Sequence, residues 1–358
     1  MSFPLTPSPR PVPAAQREAI LADPGFGAHF GDHMALAQWS AERGWHDRRV
    51  GPLEAFSVHP GSSVLHYGQE VFEGLKALRQ VDGRVALFRP DRNARRFAGS
   101  ARRLALPELG EQDFVDAVTA LVRADEAWVP PYGRGWSLYL RPFLFASEVF
   151  LGVRAAERAT FCVIASPAAS YFAAGAAITL WVSTEYSRAA PGGTGAAKCG
   201  GNYAGGLLAQ RDAREHGCDQ VLFLDAAEHR WVEEAGTMNL FVVTADGELV
   251  TPPLGTILDG VTRESLLALA TEHDLRPVER PLALEELQVG CASGAVTEVF
   301  AAGTAAALTP VAELRGDGFT VTVGDGHPGK RTLALRQHLL DIQTGRVPGP
   351  DGWVRLVG

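Results

Sequence analysis

Apolar positions along the chain follow two periods, one of strands and one of helices, and the two alternate. Between about Val64 and Pro90 the spacing is that of strands. In KALRQVDGRVALF the pair Asp82-Gly83 separates two apolar runs, which is a hairpin signal. Pro90-Asp91 then opens a helical stretch, DRNARRFAGSARRLAL, in which Phe97, Ala101 and Leu104 share a face and arginines crowd the rest. DFVDAVTALVRADEAWV predicts a second helix, and WSLYLRPFLFAS and ATFCVIASP predict strands. After the small-residue stretch SYFAAGAA comes a strand, ITLWVSTEYSR, then the Gly-rich APGGTGAAKCGGNYAGG and a helix from about Tyr203 to His216. DQVLFLDAAEHRWVEEAGTMNLFVVTADGELV predicts strands broken by turns, Asp246-Gly247 among them. TRESLLALATEHDL and RTLALRQHLLDIQTG predict helices, the first beginning after Gly260 and the second ended by Gly345. The Pro-rich first dozen residues predict an extended arm in which proline blocks both helix and sheet pairing.

Mixed helices with many antiparallel hairpins place the chain in the α+β class. Its 358 residues are too many for one ordinary core and predict two domains. The boundaries drawn are 1–172 for an N-terminal α/β domain with its arm, 173–180 for an interdomain loop, and 181–358 for a C-terminal domain. A net charge of −8 excludes a general nucleic-acid binder, which carries a basic surplus. The amino terminus lacks the apolar core of a secretory signal, and no apolar run reaches the length of a membrane span, so the expected location is the cytoplasm. The four cysteines, Cys162, Cys199, Cys218 and Cys291, show no CxxC-type spacing and no histidine at a zinc-like offset. They read as reduced, mostly buried thiols, with no metal site expected.

Five segments carry candidate chemistry. Lys198 lies in GGTGAAKCGGNY, where glycine permits close backbone approach to a ligand. A phosphate loop of the nucleotide-triphosphate kind needs Gly before the lysine and Ser or Thr after it. Ala197 and Cys199 occupy those places, so that reading fails. The alternatives are a solvated loop lysine, or an amine nucleophile whose small, uncharged neighbours depress its pKa. In RWVEEAGTMNLFVV, strand alternation would send Glu233 and Glu234 to opposite faces, one to solvent and one inward, unless both are surface charges. Gly260, Val261 and Thr262 mark a helix start able to hold a phosphate. Gly303-Thr304, in VFAAGTAAALTP, is either a close approach to a ligand or a plain turn between strands. Arg96 is one of several arginines suited to a phosphate, and composition does not choose among them.

The segments YGQEVFEGLKALR, LYLRP, GGTGAAKCGGNY, EEAGTMNLF and GTAAALTPV occur together and in this order, and in this the chain resembles the branched-chain amino-acid aminotransferases. The resemblance runs from about Phe26 to Leu340. It implies a two-domain fold-type IV enzyme of the D-amino-acid aminotransferase-like kind, dependent on pyridoxal 5'-phosphate, with the cofactor lysine in the C-terminal domain. By the same resemblance Lys198 is the Schiff-base lysine and proton shuttle, Tyr203 donates to the cofactor's phenolate oxygen, and Glu234 rather than Glu233 meets the pyridine nitrogen. Arg96, the backbone of Val261 and Thr262, and Thr304 hold the phosphate. Thr304 and Ala305 receive the substrate α-carboxylate. Phe26, Tyr67, Phe72 and Tyr139, with Thr237 nearby, line the side-chain pocket. Leu151 and Val153 complete the pocket of a partner subunit, which implies a homodimer with a shared active site. Ala306 and Thr309 stand where some relatives carry a redox CxxC, so regulation by that route is not expected.

The implied reaction is ping-pong transamination on the Lys198 Schiff base. It exchanges the amino group between L-leucine, L-isoleucine or L-valine and 2-oxoglutarate. The alternatives are another enzyme of the same fold, a D-amino-acid aminotransferase or an aminodeoxychorismate lyase, and a non-catalytic binding protein on this scaffold. FEGLKALR and GTMNLF favour the branched-chain group. Intact Lys198, Tyr203 and Glu234 argue against loss of catalysis.

Overall fold

The structure is a computed structural model that describes residues 2–169 and 176–358. It divides into two compact units. Unit 1 is Met1–Tyr171 with Ala197–Gly200 and Leu340–Gly358, and unit 2 is Phe172–Ala196 with Gly201–Leu339. This departs from the boundaries drawn on the sequence, because the lysine segment and the carboxyl-terminal stretch group with the N-terminal unit. Of the expected loop 173–180, residues 173–175 lie outside the described residues, and residues 178–180 begin a strand.

Unit 1 holds α1 (Ala14–Ala22), β1 (His33–Ser40), β2 (Gly44–Pro52), α2 (Ser63–Tyr67), β3 (Glu70–Phe72), β4 (Leu75–Arg79), β5 (Val85–Phe88), α3 (Pro90–Arg103), α4 (Glu111–Ala124), β6 (Ser137–Ala146) and β7 (Arg158–Ala168). Its antiparallel sheet runs β5-β4-β6-β7-β1-β2, with Val354–Leu356 added beside β5 and β3 paired to β6. The Asp82-Gly83 hairpin forms as predicted, with Ala77 opposite Leu87 and Gly83 at φ +87°. The expected strand pattern from Val64 is corrected at its start, where Ser63–Tyr67 is a short helix. α3 and α4 cover one face of the sheet. Phe97 (α3), Phe114 (α4) and Phe161 (β7) meet with ring centres 5.2 to 6.2 Å apart in the middle of the core.

The amino-terminal arm is extended, but the expectation that its prolines bar sheet pairing does not hold. Val50 N–H donates to Pro4 O and Thr6 N–H donates to Val50 O, both at 2.9 Å, and Phe3 enters the core. Proline removes a donor but keeps its carbonyl, so Pro4 can accept while Thr6 supplies the donor. The helix α1 that follows the arm buries none of its residues.

Unit 2 holds β8 (Ile178–Ser183), α5 (Gly200–Gly205), α6 (Leu207–Glu215), β9 (Gln220–Leu224), β10 (Val232–Ala235), β11 (Met238–Thr244), β12 (Glu248–Thr251), α7 (Val261–Leu269), β13 (Arg276–Glu279), α8 (Leu284–Ser293), β14 (Val296–Gly303), β15 (Ala307–Gly316), β16 (Phe319–Thr322) and α9 (Lys330–Gln343). The first residue of α5 and the last turn of α9 count with unit 1. Pairing runs β10-β9-β8-β15-β14-β11, and β10 also pairs with β11, so these strands close into a ring around an aliphatic core. The single helix expected from Tyr203 to His216 is two, α5 and α6, parted at Gly206. All four cysteines are free and buried. No helix among the described residues is long and apolar enough to cross a membrane.

Phe161 is wholly buried between both helices and the sheet of unit 1. Phe161→Ala should therefore cost about 3–5 kcal/mol of stability, through lost burial and the cavity left behind. Urea unfolding of the variant against the parent measures this, and a loss below about 1 kcal/mol would show that the cluster is not the centre of the core.

Candidate active site

In unit 1 the backbone at the lysine and just after it is held by bonds to three residues. Phe72 N–H donates to Lys198 O at 2.9 Å, Lys198 N–H donates to Ser100 Oγ at 2.9 Å, and Gly200 N–H donates to the Glu70 carboxylate. Ala197 and Cys199, on either side, enter the core. These contacts explain why a segment distant in sequence belongs with the N-terminal unit. The lysine side chain is half-buried, and its Nζ stands 4.7 Å from the centre of the Phe72 ring.

Tyr139 and Arg141 are two apart on β6 and so share a face. The Arg141 guanidinium lies 4.9 Å from the Phe72 ring centre and 5.4 Å from that of Tyr139, and its Nη2 donates to Tyr139 Oη at 3.3 Å. Phe26 meets Tyr139 edge-on at 5.3 Å. A Cβ at Gly74 would overlap the Tyr139 hydroxyl, so any larger residue between Glu73 and Leu75 would displace that ring.

One carboxylate organises this half, and no sequence feature singled it out. Glu73 is 0% exposed. It takes two bonds from Arg96, Nε to Oε1 at 2.7 Å and Nη2 to Oε2 at 2.8 Å, and one from Asn93 Nδ2 at 2.7 Å. Burial pushes its pKa up, but the Arg96 charge and hydrogen bond, the Lys198 charge and the Asn93 bond outweigh that and hold it below the usual carboxylate range. The available signal was an acid set between Phe72 and Gly74 in a strand-like run.

The amine of Lys198 shows the opposite balance. Burial and the nearby Arg96 charge disfavour the ammonium, Glu73 and Tyr139 favour it, and the result is pulled down to about 8. An amine so placed is partly neutral near neutral pH and can act as a nucleophile and as a base.

In unit 2 the equivalent centre is Glu234 on β10, 3% exposed. Its Oε1 accepts from Asn239 Nδ2 at 2.7 Å and from Leu258 N–H at 3.1 Å. Its Oε2 stands 2.8 Å from Arg188 Nε, an ion pair by distance rather than an aligned hydrogen bond. Arg188 is anchored by Nη2, which donates to Gly195 O at 3.0 Å and Thr256 O at 2.5 Å. Glu234 pairs with Asn239 across β10–β11, and Asn239 with Ala302 across β11–β14. The Gly303–Ala307 turn therefore stands beside the same residues.

The expected split of Glu233 and Glu234 between solvent and interior does not occur, because both are buried. β10 is irregular against β9: Val232 faces Leu224 and Ala235 faces Leu222, so an extra residue is accommodated across Glu233 and Glu234. A bulge breaks alternation and re-aims side chains.

α7 begins at Val261 after Gly260, whose side-chain position would overlap Asn239 Oδ1. The helix has no side-chain cap, and the first N–H groups of any α-helix lack partners within it. Val261 and Thr262 are buried there. Thr304 and Ala305 are half-buried in the turn between β14 and β15, Tyr203 is half-buried on α5, and Thr237 is exposed in the turn between β10 and β11. Back in unit 1, the Tyr67 hydroxyl donates to Leu151 O. Leu151 and Val153 are 65% and 83% exposed. Phe26, Phe72, Arg96, Tyr139 and Lys198 thus gather in unit 1, while Glu234, Val261, Thr262, Thr304 and Ala305 belong to unit 2.

The family model described as amino-transferase class IV matches residues 70–314, which include every residue of both constellations except Phe26 and Tyr67. A branched-chain-amino-acid aminotransferase of Mycobacterium tuberculosis is 49% identical over 100% of this chain and 99% of that protein. The chain belongs to the branched-chain-amino-acid aminotransferases of class IV. A probable branched-chain-amino-acid aminotransferase of Streptomyces coelicolor is 51% identical over 99% of the chain and 98% of that protein. Among solved structures, the Escherichia coli branched-chain amino acid aminotransferase superposes with TM-score 0.77 at 30% identity, covering 91% of this chain and 99% of that one. The Thermobaculum terrenum enzyme, described in its PLP form, superposes with TM-score 0.73 at 25% identity, covering 90% and 98%. Enzymes of class IV depend on pyridoxal phosphate in general, and the α+β fold expected from the sequence is that of this class.

Glu73 both favours the Lys198 ammonium and holds Arg96. Glu73→Gln removes the anion, so the amine's pKa should fall further, by about one unit. The pH dependence of Lys198 reductive methylation in cofactor-free protein, followed by mass spectrometry, measures the shift. An upward shift would contradict the electrostatic role given to Glu73.

Proposed function

We propose that this chain is a cytoplasmic homodimer that catalyses reversible amino transfer between L-leucine, L-isoleucine or L-valine and 2-oxoglutarate with pyridoxal 5'-phosphate. The observation that carries the reading is Lys198, half-buried among aromatic rings with its amine pulled down to about 8 beside the Glu73–Arg96 pair. The donor set fits the cofactor: a nucleophilic amine for its aldehyde, a buried carboxylate for its pyridine nitrogen, and an uncapped helix start for its phosphate. When bound, the cofactor supplies an electron sink for the charge left at the substrate's Cα.

In this reading Lys198 would hold the cofactor through Nζ, and the same amine, when free, would take the substrate's Cα proton and return it. Glu234, braced by Arg188 and Asn239, keeps the pyridine nitrogen protonated. Tyr203 donates to the phenolate oxygen. Arg96, the N–H groups of Val261 and Thr262, and Thr304 hold the phosphate. Thr304 and Ala305 orient the α-carboxylate. Phe26, Tyr67, Phe72 and Tyr139, with Thr237, would face an apolar branched side chain. Leu151 and Val153 serve the partner subunit's site. The exposed apolar run Val149, Phe150, Leu151 and Val153 supports an interface there.

The purified protein should absorb in the visible through its lysine-bound cofactor, and Lys198→Ala should abolish both that band and turnover. A borohydride-reducible linkage surviving in Lys198→Ala would assign the cofactor to another lysine. Leucine, isoleucine or valine with 2-oxoglutarate should yield glutamate. Turnover of D-alanine with none of the three would instead favour the D-amino-acid aminotransferase reading.

A further inference from the structure

Glu233 has no part in the chemistry above, yet it is 5% exposed and directly precedes Glu234. Its Oε1 accepts from the Thr256 hydroxyl, and its Oε2 has no hydrogen-bond partner among the described residues. The irregularity in β10 turns both neighbouring carboxylates into one environment. In that environment Arg188 sets its Nε against Glu234 and spends its Nη2 on two backbone carbonyls. The groups that act most strongly on Glu233 are Thr256, Arg188, Glu234 and Asp225. Asp225 adds negative potential. Four backbone N–H groups, from Ala227, Glu228, Arg230 and Trp231, overcome its partial burial and hold it down to about 2.

Two neighbouring buried carboxylates that draw on the same guanidinium compete for it, and an uncompensated buried charge is costly. We propose that Glu233 is a positioning residue, a buried protonated carboxylic acid that leaves Arg188 wholly to Glu234. The direction of its titration agrees: burial pushes Glu233 up, and the Thr256 bond and Arg188 only partly offset it. When Glu233 loses its proton, two anions compete for Arg188, and the brace on Glu234 weakens. Turnover then falls as Glu233 loses its proton. This last consequence rests on the assignment of Glu234 to the pyridine nitrogen; the protonation itself does not.

The sign for stability follows from linkage. An acid whose folded pKa is raised stabilises the fold below its unfolded value, and that stability is lost as pH rises toward the folded value. Glu233→Gln keeps the shape of the neutral acid and cannot ionise. Infrared difference spectra of holoenzyme, wild type minus Glu233→Gln, should show a protonated-carboxyl C=O band that titrates above the ordinary glutamate value of about 4.3. The Tm of Glu233→Gln relative to wild type should rise as the pH is raised above the ordinary glutamate value of about 4.3. The fall in kcat that accompanies this ionisation in wild type should be absent from Glu233→Gln. Thr256→Val, which removes a bond favouring the anion, should move the infrared titration upward without removing the band.

Loss of only a carboxylate band at every pH, with a pH-independent Tm difference, would overturn the proposal. A protonated band with the same dependence of kcat on pH in wild type and Glu233→Gln would overturn the positioning role. Absence of the visible cofactor band in wild type would strike the assignment of Lys198 and leave the infrared test standing.

Discussion

The bidentate pair between Arg96 and Glu73 is the interaction on which the lysine's chemistry rests. Glu73 is fully buried, and its charge survives because Arg96 and Asn93 come from the first turns of α3 to meet it. The same pair sets the field at Lys198, where the Arg96 cation and the Glu73 anion act in opposite directions and burial decides the outcome. Arg96 therefore carries a structural task besides the phosphate role implied by family resemblance. Its planar fork, with donors on three nitrogens, suits a residue asked to serve two anions.

Unit 2 solves a similar problem with different means. Glu234 is also a buried carboxylate, braced by Arg188, Asn239 and the Leu258 N–H. Here the brace comes from a strand neighbour and from the two loops that hold Gly195 and Thr256. The bulge in β10 is what permits two acids in succession to be buried. A regular strand would have sent one of them the other way. In both units the polar centre sits at the edge of an aliphatic or aromatic core, so the positions of its partners are set by packing.

Similarity and geometry contribute different things. Whole-length identity near one half to branched-chain-amino-acid aminotransferases places the chain in its family. The geometry adds which local groups tune the lysine and the acid.

Much was legible in the sequence because it was local. The Asp82-Gly83 hairpin, α3, α4 and the Gly260 helix start depend on turn chemistry and on periodicity within a dozen residues. The lysine, the acid at position 234 and their motifs could be named because their order along the chain is itself a pattern. The tertiary structure alone decided what required distant partners. It placed Ala197–Gly200 with the N-terminal unit through bonds to Phe72, Ser100 and Glu70, against a domain boundary drawn by chain order. It recruited the proline arm to β2, since only a neighbouring strand can use a carbonyl that proline retains. It buried Glu233 and made Glu73 the anchor of Arg96, because the sign and burial of a charge are settled by what folds against it, and that is not written in its neighbours along the chain.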